Sequence, residues 1–222
     1  MIELAVSLAV LFPSVILHEV AHGAVAYWLG DPTAKAERRL SLNPLRHISW
    51  FGTFILPGVL ALTHLPVFGY AKPVPINPRY FSDPSKDMAK VALAGPLVNV
   101  ILATLSLVYL NVVLETVQPG FKPAVLAFVG SGATFWPGAW LLSGVVAFEL
   151  LLVNLVLTVF NLLPVPPLDG SRILYWLLPA DLGAWYYKLE RYGLFIVFGL
   201  LYFDIFEWIY QRTVTPLLGL LL

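Results

Sequence analysis

Residues 4–29 read LAVSLAVLFPSVILHEVAHGAVAYWL, an apolar run that contains the cluster His18-Glu19-Val20-Ala21-His22. A run of this length can cross the hydrocarbon core of a bilayer as an α-helix. On a helix, His18 and His22 lie one turn apart on the same face. Two imidazoles so placed can bind one Zn²⁺, and Glu19 then lies beside the open coordination position as a general base. The stretch therefore predicts a membrane-spanning helix that carries a candidate metal site.

The alternative interpretation of this cluster is structural. Polar side chains in apolar helices can hydrogen-bond across helix interfaces and hold the helices together. Ionisable side chains at membrane depth are costly, so an intramembrane His-Glu-His cluster is by default a functional site. We therefore favour the metal site.

Composition places the chain among polytopic membrane proteins. Of its 222 residues, 59% are hydrophobic and 12% are charged, and the mean hydropathy is +0.82. A soluble domain has about a quarter of its residues charged. The net charge is zero, which gives no indication of nucleic-acid binding, and the absence of cysteine excludes Cys-ligated zinc and a thiol nucleophile. The N-terminus lacks a basic region and a small-residue cleavage site, so residues 4–29 are interpreted as a retained helix.

The remaining apolar runs predict an all-α fold with about four spanning helices. Besides the first helix, we expect spans at 91–114, 139–163 and 193–209. The run 50–70, broken by Pro57-Gly58, predicts a re-entrant or short β hairpin between the first two spans. Pro166-Pro167 is expected to keep the chain extended up to Asp169. No hydrophilic stretch is long enough for a second domain, so residues 1–222 are expected to form one.

The distribution of basic residues predicts the topology. Segments 31–49, 71–90 and 171–191 carry four, four and three basic residues, whereas the predicted loop 117–139 carries one. Basic loops are usually cytoplasmic. All three can be cytoplasmic only if residues 50–70 form the hairpin or cross an even number of times. We favour the hairpin, which places the N-terminus outside and the candidate site near the cytoplasmic leaflet.

A third metal ligand is needed, because catalytic zinc usually has three protein ligands and one open position. A histidine six residues beyond His22 would suit one class of zinc protease, but Trp28 occupies that position. Glu37, a second candidate, lies in a basic loop. Asp169 follows a rigid Pro-rich segment at the end of an apolar helix and is the better candidate. The alternative for Asp169 is an aspartate that caps a turn.

These motifs together resemble the site-2 protease family of intramembrane zinc metalloproteases. The matching segments are His18-Glu19-Val20-Ala21-His22, Asn43-Pro44-Leu45-Arg46-His47, Tyr70-Ala71-Lys72-Pro73-Val74-Pro75, Ala94-Gly95-Pro96-Leu97-Val98-Asn99 and Asn161-Leu162-Leu163-Pro164-Val165-Pro166-Pro167-Leu168-Asp169-Gly170. The resemblance covers about residues 8–176. It points to small members close to the catalytic core, because the PDZ or CBS domain of many members does not fit in these loops.

The resemblance implies a role for each of five residues. His18, His22 and Asp169 would bind Zn²⁺. Glu19 would act as general base, taking a proton from zinc-activated water and later passing it to the leaving amine. Asn161 would help to position or polarise the substrate carbonyl. The alternative for Asn161 is a hydrogen bond between helices.

Other polar residues in the apolar runs are interpreted as structural. Asn154 lies seven residues before Asn161, on the same helical face. Asn99, together with Gly95, is expected to permit close helix packing.

A membrane helix has to unwind before it can be cleaved, because a protease needs an extended chain. An exposed edge of extended backbone could receive such a substrate by β-strand addition. The Pro-rich segment Lys72-Pro73-Val74-Pro75-Ile76, or strands of the 50–70 hairpin, could provide that edge. Lys72, Pro73 and Val74 are therefore candidate substrate-binding residues.

The sequence thus predicts a zinc-dependent intramembrane endopeptidase that cleaves single-span membrane proteins near the cytoplasmic leaflet. We expect a multi-pass protein of a prokaryotic plasma membrane. Two alternatives stay open: a membrane zinc hydrolase acting on a lipid amide at the same site, and a non-catalytic metal-binding membrane protein. Glu19 argues against the second, since metal binding alone needs no base beside the metal.

Overall fold

The structure is a computed structural model that describes residues 2–62, 71–114 and 139–221, together with positions 123 and 127. Its α-helices are α1 (Ile2–Trp28), α2 (Thr33–Ala36), α3 (Leu56–Leu62), α4 (Pro84–Val108), α5 (Ala139–Asn161), α6 (Asp169–Leu177), α7 (Ala180–Tyr187), α8 (Gly193–Tyr202) and α9 (Ile205–Leu221). Short 3₁₀ or π-helical pieces lie at Pro44–Arg46, Trp50–Ile55, Pro78–Tyr80, Tyr109–Leu114 and Lys188–Tyr192. The described residues contain no β-strand, which confirms the all-α class.

Within the part of the chain that the structure describes, three helices are long and apolar enough to cross a membrane, by length and composition. They cover Val6–Trp28, Pro84–Val112 and Leu141–Asn161. A fourth candidate is the helix pair Asp181–Tyr202 and Ile205–Gly219, which is bent by 73° and passes the same test only as a pair. These apolar helices agree with the predicted number of about four spans.

The predicted last helix, 193–209, is wrong as a continuous element. α8 ends at Tyr202 and α9 begins at Ile205. Between them, Asp204 has φ +54°, which is the left-handed region that Asp enters more readily than most residues. The apolar pattern runs through this break, so hydropathy alone did not indicate it.

The second half of the predicted hairpin lies outside the described residues, as does nearly all of the predicted loop at 117–139. Residues 50–62 are helical, since the π-helical turn Trp50–Ile55 leads into α3. The β alternative is therefore not realised over these thirteen positions.

Helix α4 begins seven residues before the predicted start at residue 91. The side chain of Asp83 accepts a hydrogen bond from the Lys86 amide at 3.1 Å, and Pro84 occupies the first helical turn. An aspartate followed by proline is a standard start for a helix. The prediction placed the boundary at the end of the polar residues and missed this capping signal.

The segment before Asp169 is a series of turns, and the expectation of an extended chain is wrong. The Leu163 amide donates to the Phe160 carbonyl, and the Leu168 amide donates to the Val165 carbonyl. Asp169 is consequently the first residue of α6. Gly170 makes this path possible, because a Cβ there would lie 2.2 Å from the Leu162 carbonyl oxygen.

Helices α1, α4 and α5 pack against one another, and α6 packs against α4. The core between the three long helices consists of buried apolar side chains: Val6, Val10, Ala103, Leu110, Val145, Ala147, Phe148 and Leu151. Between membrane-spanning helices, such a set stabilises the bundle through van der Waals packing and not through removal of apolar surface from water. The packing brings His18 and His22 of α1 against Gly95 of α4 and Asp169 of α6.

Candidate metal centre

Two histidines of α1 and an aspartate of α6 meet in the interior of the bundle. The ligand atoms of His18, His22 and Asp169 all lie within 4.8 Å of one another. The two Nε2 atoms are 3.0 Å apart, and they lie 3.1 Å and 3.3 Å from the Asp169 Oδ2 atom. Both imidazoles are buried. Asp169 lies 151 residues after His18 in the chain.

These residues fit Zn²⁺ in type and in spacing. Ligand atoms about 2 Å from a tetrahedral Zn²⁺ lie about 3.3 Å from one another. Two imidazole nitrogens and one carboxylate oxygen form one of the usual three-ligand sets of catalytic zinc. Among the residues that the structure describes, no other three His, Cys, Asp or Glu groups converge in this way, so Glu37 is not part of a second such set.

The Nδ1 atoms of both histidines face acceptors on α4. His22 Nδ1 lies 2.7 Å from the Val91 carbonyl oxygen, and His18 Nδ1 contacts the Asn99 Oδ1 atom. A carbonyl can only accept, so His22 carries its proton on Nδ1. The Nε2 lone pair of His22 is then free to bind a metal, as a ligand requires.

A chain of buried amides determines the orientation of Asn99. Asn154 on α5 donates to the Leu150 carbonyl at 2.8 Å and to the Ser14 hydroxyl at 3.0 Å. Its Oδ1 therefore accepts, and Asn99 Nδ2 donates to it at 2.6 Å. Asn99 Oδ1 is left to accept a hydrogen bond from His18 Nδ1, so the Nε2 lone pair of His18 is also free to bind a metal. The two Asn side chains and Ser14 are fully buried.

Sequence reasoning assigned Asn99 to helix packing and missed its contact with His18. The available signal was an amide in an apolar helix, which requires a partner inside the bundle. That signal does not name the partner, which lies 81 residues earlier in the chain.

Replacing Asn99 with leucine, which has a similar volume, should lower the affinity for Zn²⁺ by about 10- to 100-fold. His18 would lose the acceptor that fixes its tautomer, and Asn154 would lose a hydrogen-bond partner. Competition with a chromogenic chelator measures this affinity. Asn154→Leu is the matched control, because it keeps the direct His18–Asn99 contact, and its loss of affinity should be smaller. Equal losses in both variants would contradict the orienting role of Asn99.

Gly95 lies against both imidazoles at the point where α4 crosses α1. A Cβ at this position would lie 2.5 Å from His18 Nε2 and 2.6 Å from His22 Cε1. Real Cβ atoms do not approach other heavy atoms this closely. The two helices can reach this distance because residue 95 has no side chain.

Glu19 is partly exposed and accepts a hydrogen bond from the Pro-rich segment. The Val74 amide donates to its Oε2 atom at 2.8 Å. The structure thus brings one of the three predicted substrate-binding residues to the predicted general base. Within the protein, the Lys72 amide donates to the His47 carbonyl, and the carbonyls of Lys72 and Pro73 accept from Arg39. Substrate binding by Lys72, Pro73 and Val74 stays a prediction.

Asn161 occupies the last turn of α5 and is half-buried. Its Nδ2 atom donates to the Leu157 carbonyl of its own helix at 2.9 Å. Among the described contacts, none joins Asn161 to the His–His–Asp group. A role with substrate stays a prediction, and it requires this amide to turn away from Leu157.

The comparisons with known proteins agree on one family. A sequence model of Peptidase family M50 matches residues 6–202. A Bacillus subtilis protein, "Putative zinc metalloprotease YwhC", is 38% identical over 192 residues, which cover 86% of this chain and 77% of that protein. A Methanocaldococcus jannaschii protein with the same description is 30% identical over 171 residues, covering 77% and 70% of the two chains. No solved structure matches the chain.

Proposed function

Because the chain belongs to peptidase family M50, the site-2 proteases, and is a zinc metalloendopeptidase, we propose that it hydrolyses peptide bonds of membrane-spanning proteins near the cytoplasmic leaflet. The observation that carries this proposal is the convergence of His18, His22 and Asp169 within 4.8 Å inside an apolar helix bundle. A buried ligand set of this kind, beside a carboxylate with no metal-ligand role, suits hydrolysis better than metal storage.

His18, His22 and Asp169 are the proposed zinc ligands. Their donor types and their mutual distances of 3.0–3.3 Å suit one Zn²⁺. Zn²⁺ bound there supplies Lewis-acid chemistry, since it polarises a substrate carbonyl and lowers the pKa of a bound water to about 7. The Asn99 side chain and the Val91 carbonyl orient the two imidazoles through contacts with their Nδ1 atoms.

Glu19 is the proposed general base. One carboxylate oxygen, Oε2, is held by the Val74 amide, which leaves Oε1 to take a proton from the attacking water. As the carbon–nitrogen bond of the substrate breaks, Glu19 returns this proton to the leaving amine. General acid–base catalysis of this kind contributes about 10²- to 10⁴-fold in rate.

Asn161 is the proposed donor to the substrate carbonyl. An amide aimed at the developing oxyanion contributes about 3 kcal/mol of transition-state stabilisation. Asn161 lies eight positions before Asp169, at the C-terminal end of α5. For this role its Nδ2 must exchange the Leu157 carbonyl for the substrate oxygen.

The position near the cytoplasmic leaflet is supported by the charged residues around the site. His22 lies less than two turns from the end of α1, and the basic segment 31–49 follows directly. Asp169 precedes the basic segment 171–191. Basic segments favour the cytoplasmic side. The relatives of bacterial and archaeal origin support a prokaryotic plasma membrane, and we propose that residues 1–222 act as a single domain.

Removal of zinc should abolish cleavage of a single-helix reporter protein by the purified enzyme in proteoliposomes. Without the metal, the buried ligands can neither polarise the substrate carbonyl nor activate water, so the rate should fall to background. Stoichiometric Zn²⁺ should restore it. Product analysis by gel and mass spectrometry measures the rate and the cleaved bond.

Two outcomes of this experiment would contradict the proposal. Cleavage that persists in protein shown by metal analysis to be zinc-free would exclude the metalloprotease mechanism. A zinc-loaded protein that leaves membrane-spanning reporters intact, yet hydrolyses an N-acyl lipid amide, would favour the lipid-hydrolase alternative.

A further inference from the structure

The segment 72–77, which we call the strap, is tied to the protein at four points. The Lys72 amide donates to the His47 carbonyl at 2.8 Å, and the Asn77 amide donates to Asp31 Oδ2 at 2.6 Å. Arg39 donates to the carbonyls of residues 72 and 73, and the Val74 amide donates to Glu19. Residues 73 and 75 are prolines and have no N–H.

The strap therefore has little free hydrogen-bonding capacity where it passes Glu19. Of residues 72–75, both amides that exist are donating to the protein, and two of the four carbonyls are accepting from it. An added substrate strand would find no free amide donor over residues 72–75 and could pair only with the remaining carbonyls. The geometry suits a rigid support for Glu19 better than an open edge.

Arg39 is an unusual partner for the strap, because it is a buried cation. Its side chain is 5% exposed, and the described ion pairs do not include it. The guanidinium donates to three main-chain carbonyls, those of Arg46, Lys72 and Pro73. Burying a charge is costly unless its donors are satisfied in good geometry. The two terminal nitrogens of Arg39 meet this condition and join two separate loops, whereas its buried Nε atom has no hydrogen-bond partner.

The strap also packs closely on α1 next to Glu19. The Val74 side chain is buried, and a Cβ added to Gly23 would lie 2.9 Å from its Cγ1 atom. Gly23 lies one helical turn beyond Glu19, so the missing side chain lets the Val74 amide reach the carboxylate. A small shift of the strap would break that hydrogen bond.

We propose that Arg39 is a positioning residue, which clamps residues 72–74 so that the Val74 amide holds Glu19 with one carboxylate oxygen directed to the reaction. Arg39 thus acts on catalysis through the strap and not through zinc or substrate affinity. A lysine cannot replace it, because a single ammonium group lacks the planar fork that reaches carbonyls of both loops. The catalytic part of this inference rests on the proposed role of Glu19.

The test compares Arg39→Lys with wild type as full-length, zinc-loaded protein. Because Glu19 loses its fixed orientation, kcat for the reporter should fall by about 10- to 100-fold, while KM and zinc content stay unchanged. Hydrogen–deuterium exchange of the peptide covering residues 71–77 should rise by about tenfold or more. Arg46→Lys is the matched control, since its side chain donates to the Arg38 carbonyl in the same loop; both readouts should stay at wild-type values.

A second pair of variants tests the path from Arg39 to Glu19. Val74→Pro removes the amide that holds Glu19, whereas Val74→Ala keeps it, so kcat should fall much further in the first. If Arg39 acts through this amide, Arg39→Lys should have little additional effect on kcat in the Val74→Pro protein.

The outcomes separate the clamp from the proposed function. Unchanged exchange in Arg39→Lys would overturn the clamp, and so would a rise in KM alone or a loss of zinc. Additive effects on kcat in the double variant would also overturn it. A wild-type protein that fails to cleave while Arg39→Lys still loosens residues 71–77 would count against the proposed function and leave the structural clamp intact.

Discussion

Replacing Glu19 with glutamine should abolish reporter cleavage and leave the bound zinc in place. Glutamine keeps the size of the side chain and its acceptor for the Val74 amide, which donates to Glu19 at 2.8 Å. It cannot take a proton from the attacking water, so the rate should fall by about 10²- to 10⁴-fold. His18, His22 and Asp169 are untouched, so metal analysis should find one zinc per chain in both proteins.

Glu37→Gln is the matched control for this experiment. Glu37 is an exposed carboxylate beyond the end of α2, and the sequence made it a candidate for the third metal ligand. Its replacement should change neither cleavage nor zinc content. Wild-type cleavage in the Glu19 variant would remove Glu19 as the base. Loss of zinc in that variant would instead assign it a role in metal binding.

Replacing Gly95 with alanine should eliminate the metal site by adding a single methyl group. The new Cβ would lie within 2.6 Å of both His18 and His22, so α4 must move away or the imidazoles must rotate out of position. Either response separates the ligands from Asp169. We expect zinc affinity to fall by at least about tenfold and cleavage to fall to background. Metal analysis after dialysis and the reporter assay measure the two effects.

The same substitution should favour the helical conformation of α4 itself. Alanine is favoured over glycine inside a helix by about 1 kcal/mol, so α4 itself should not be weakened. Gly199→Ala is the control, because a Cβ there meets no atom within 4 Å, and it should keep both zinc and activity. Full zinc binding by the Gly95 variant would show that the ligand arrangement differs from the one described above.

The local patterns of the sequence predicted much of the fold. Runs of apolar residues identified α1, α4 and α5 to within a few residues, apart from the capped start of α4 at Pro84. The resemblance to the site-2 proteases and the use of zinc are confirmed by the family match over residues 6–202. Patterns of this kind are readable because length, hydropathy and helical spacing depend on neighbouring residues only.

Local conformations that depend on contacts with other parts of the chain were predicted less well. The break at Asp204 and the turns before Asp169 replaced an expected straight helix and an expected extended chain. In both places, the conformation depends on what the chain packs against. Gly170 shows this directly. A side chain at this position would collide with the carbonyl of Leu162, eight residues earlier in the chain, so the turn requires glycine.

The sequence by itself determined the chemical groups of this protein: two histidines one helical turn apart, a glutamate between them, and an aspartate after a Pro-rich segment. Only the tertiary structure decided that these groups meet, that Gly95 leaves room for them, that Asn99 orients His18 and that Arg39 reaches the strap beside Glu19. The reason is physical. Residue type and helical spacing are local properties, whereas hydrogen bonds between groups 33 to 151 residues apart exist only once the helices have packed.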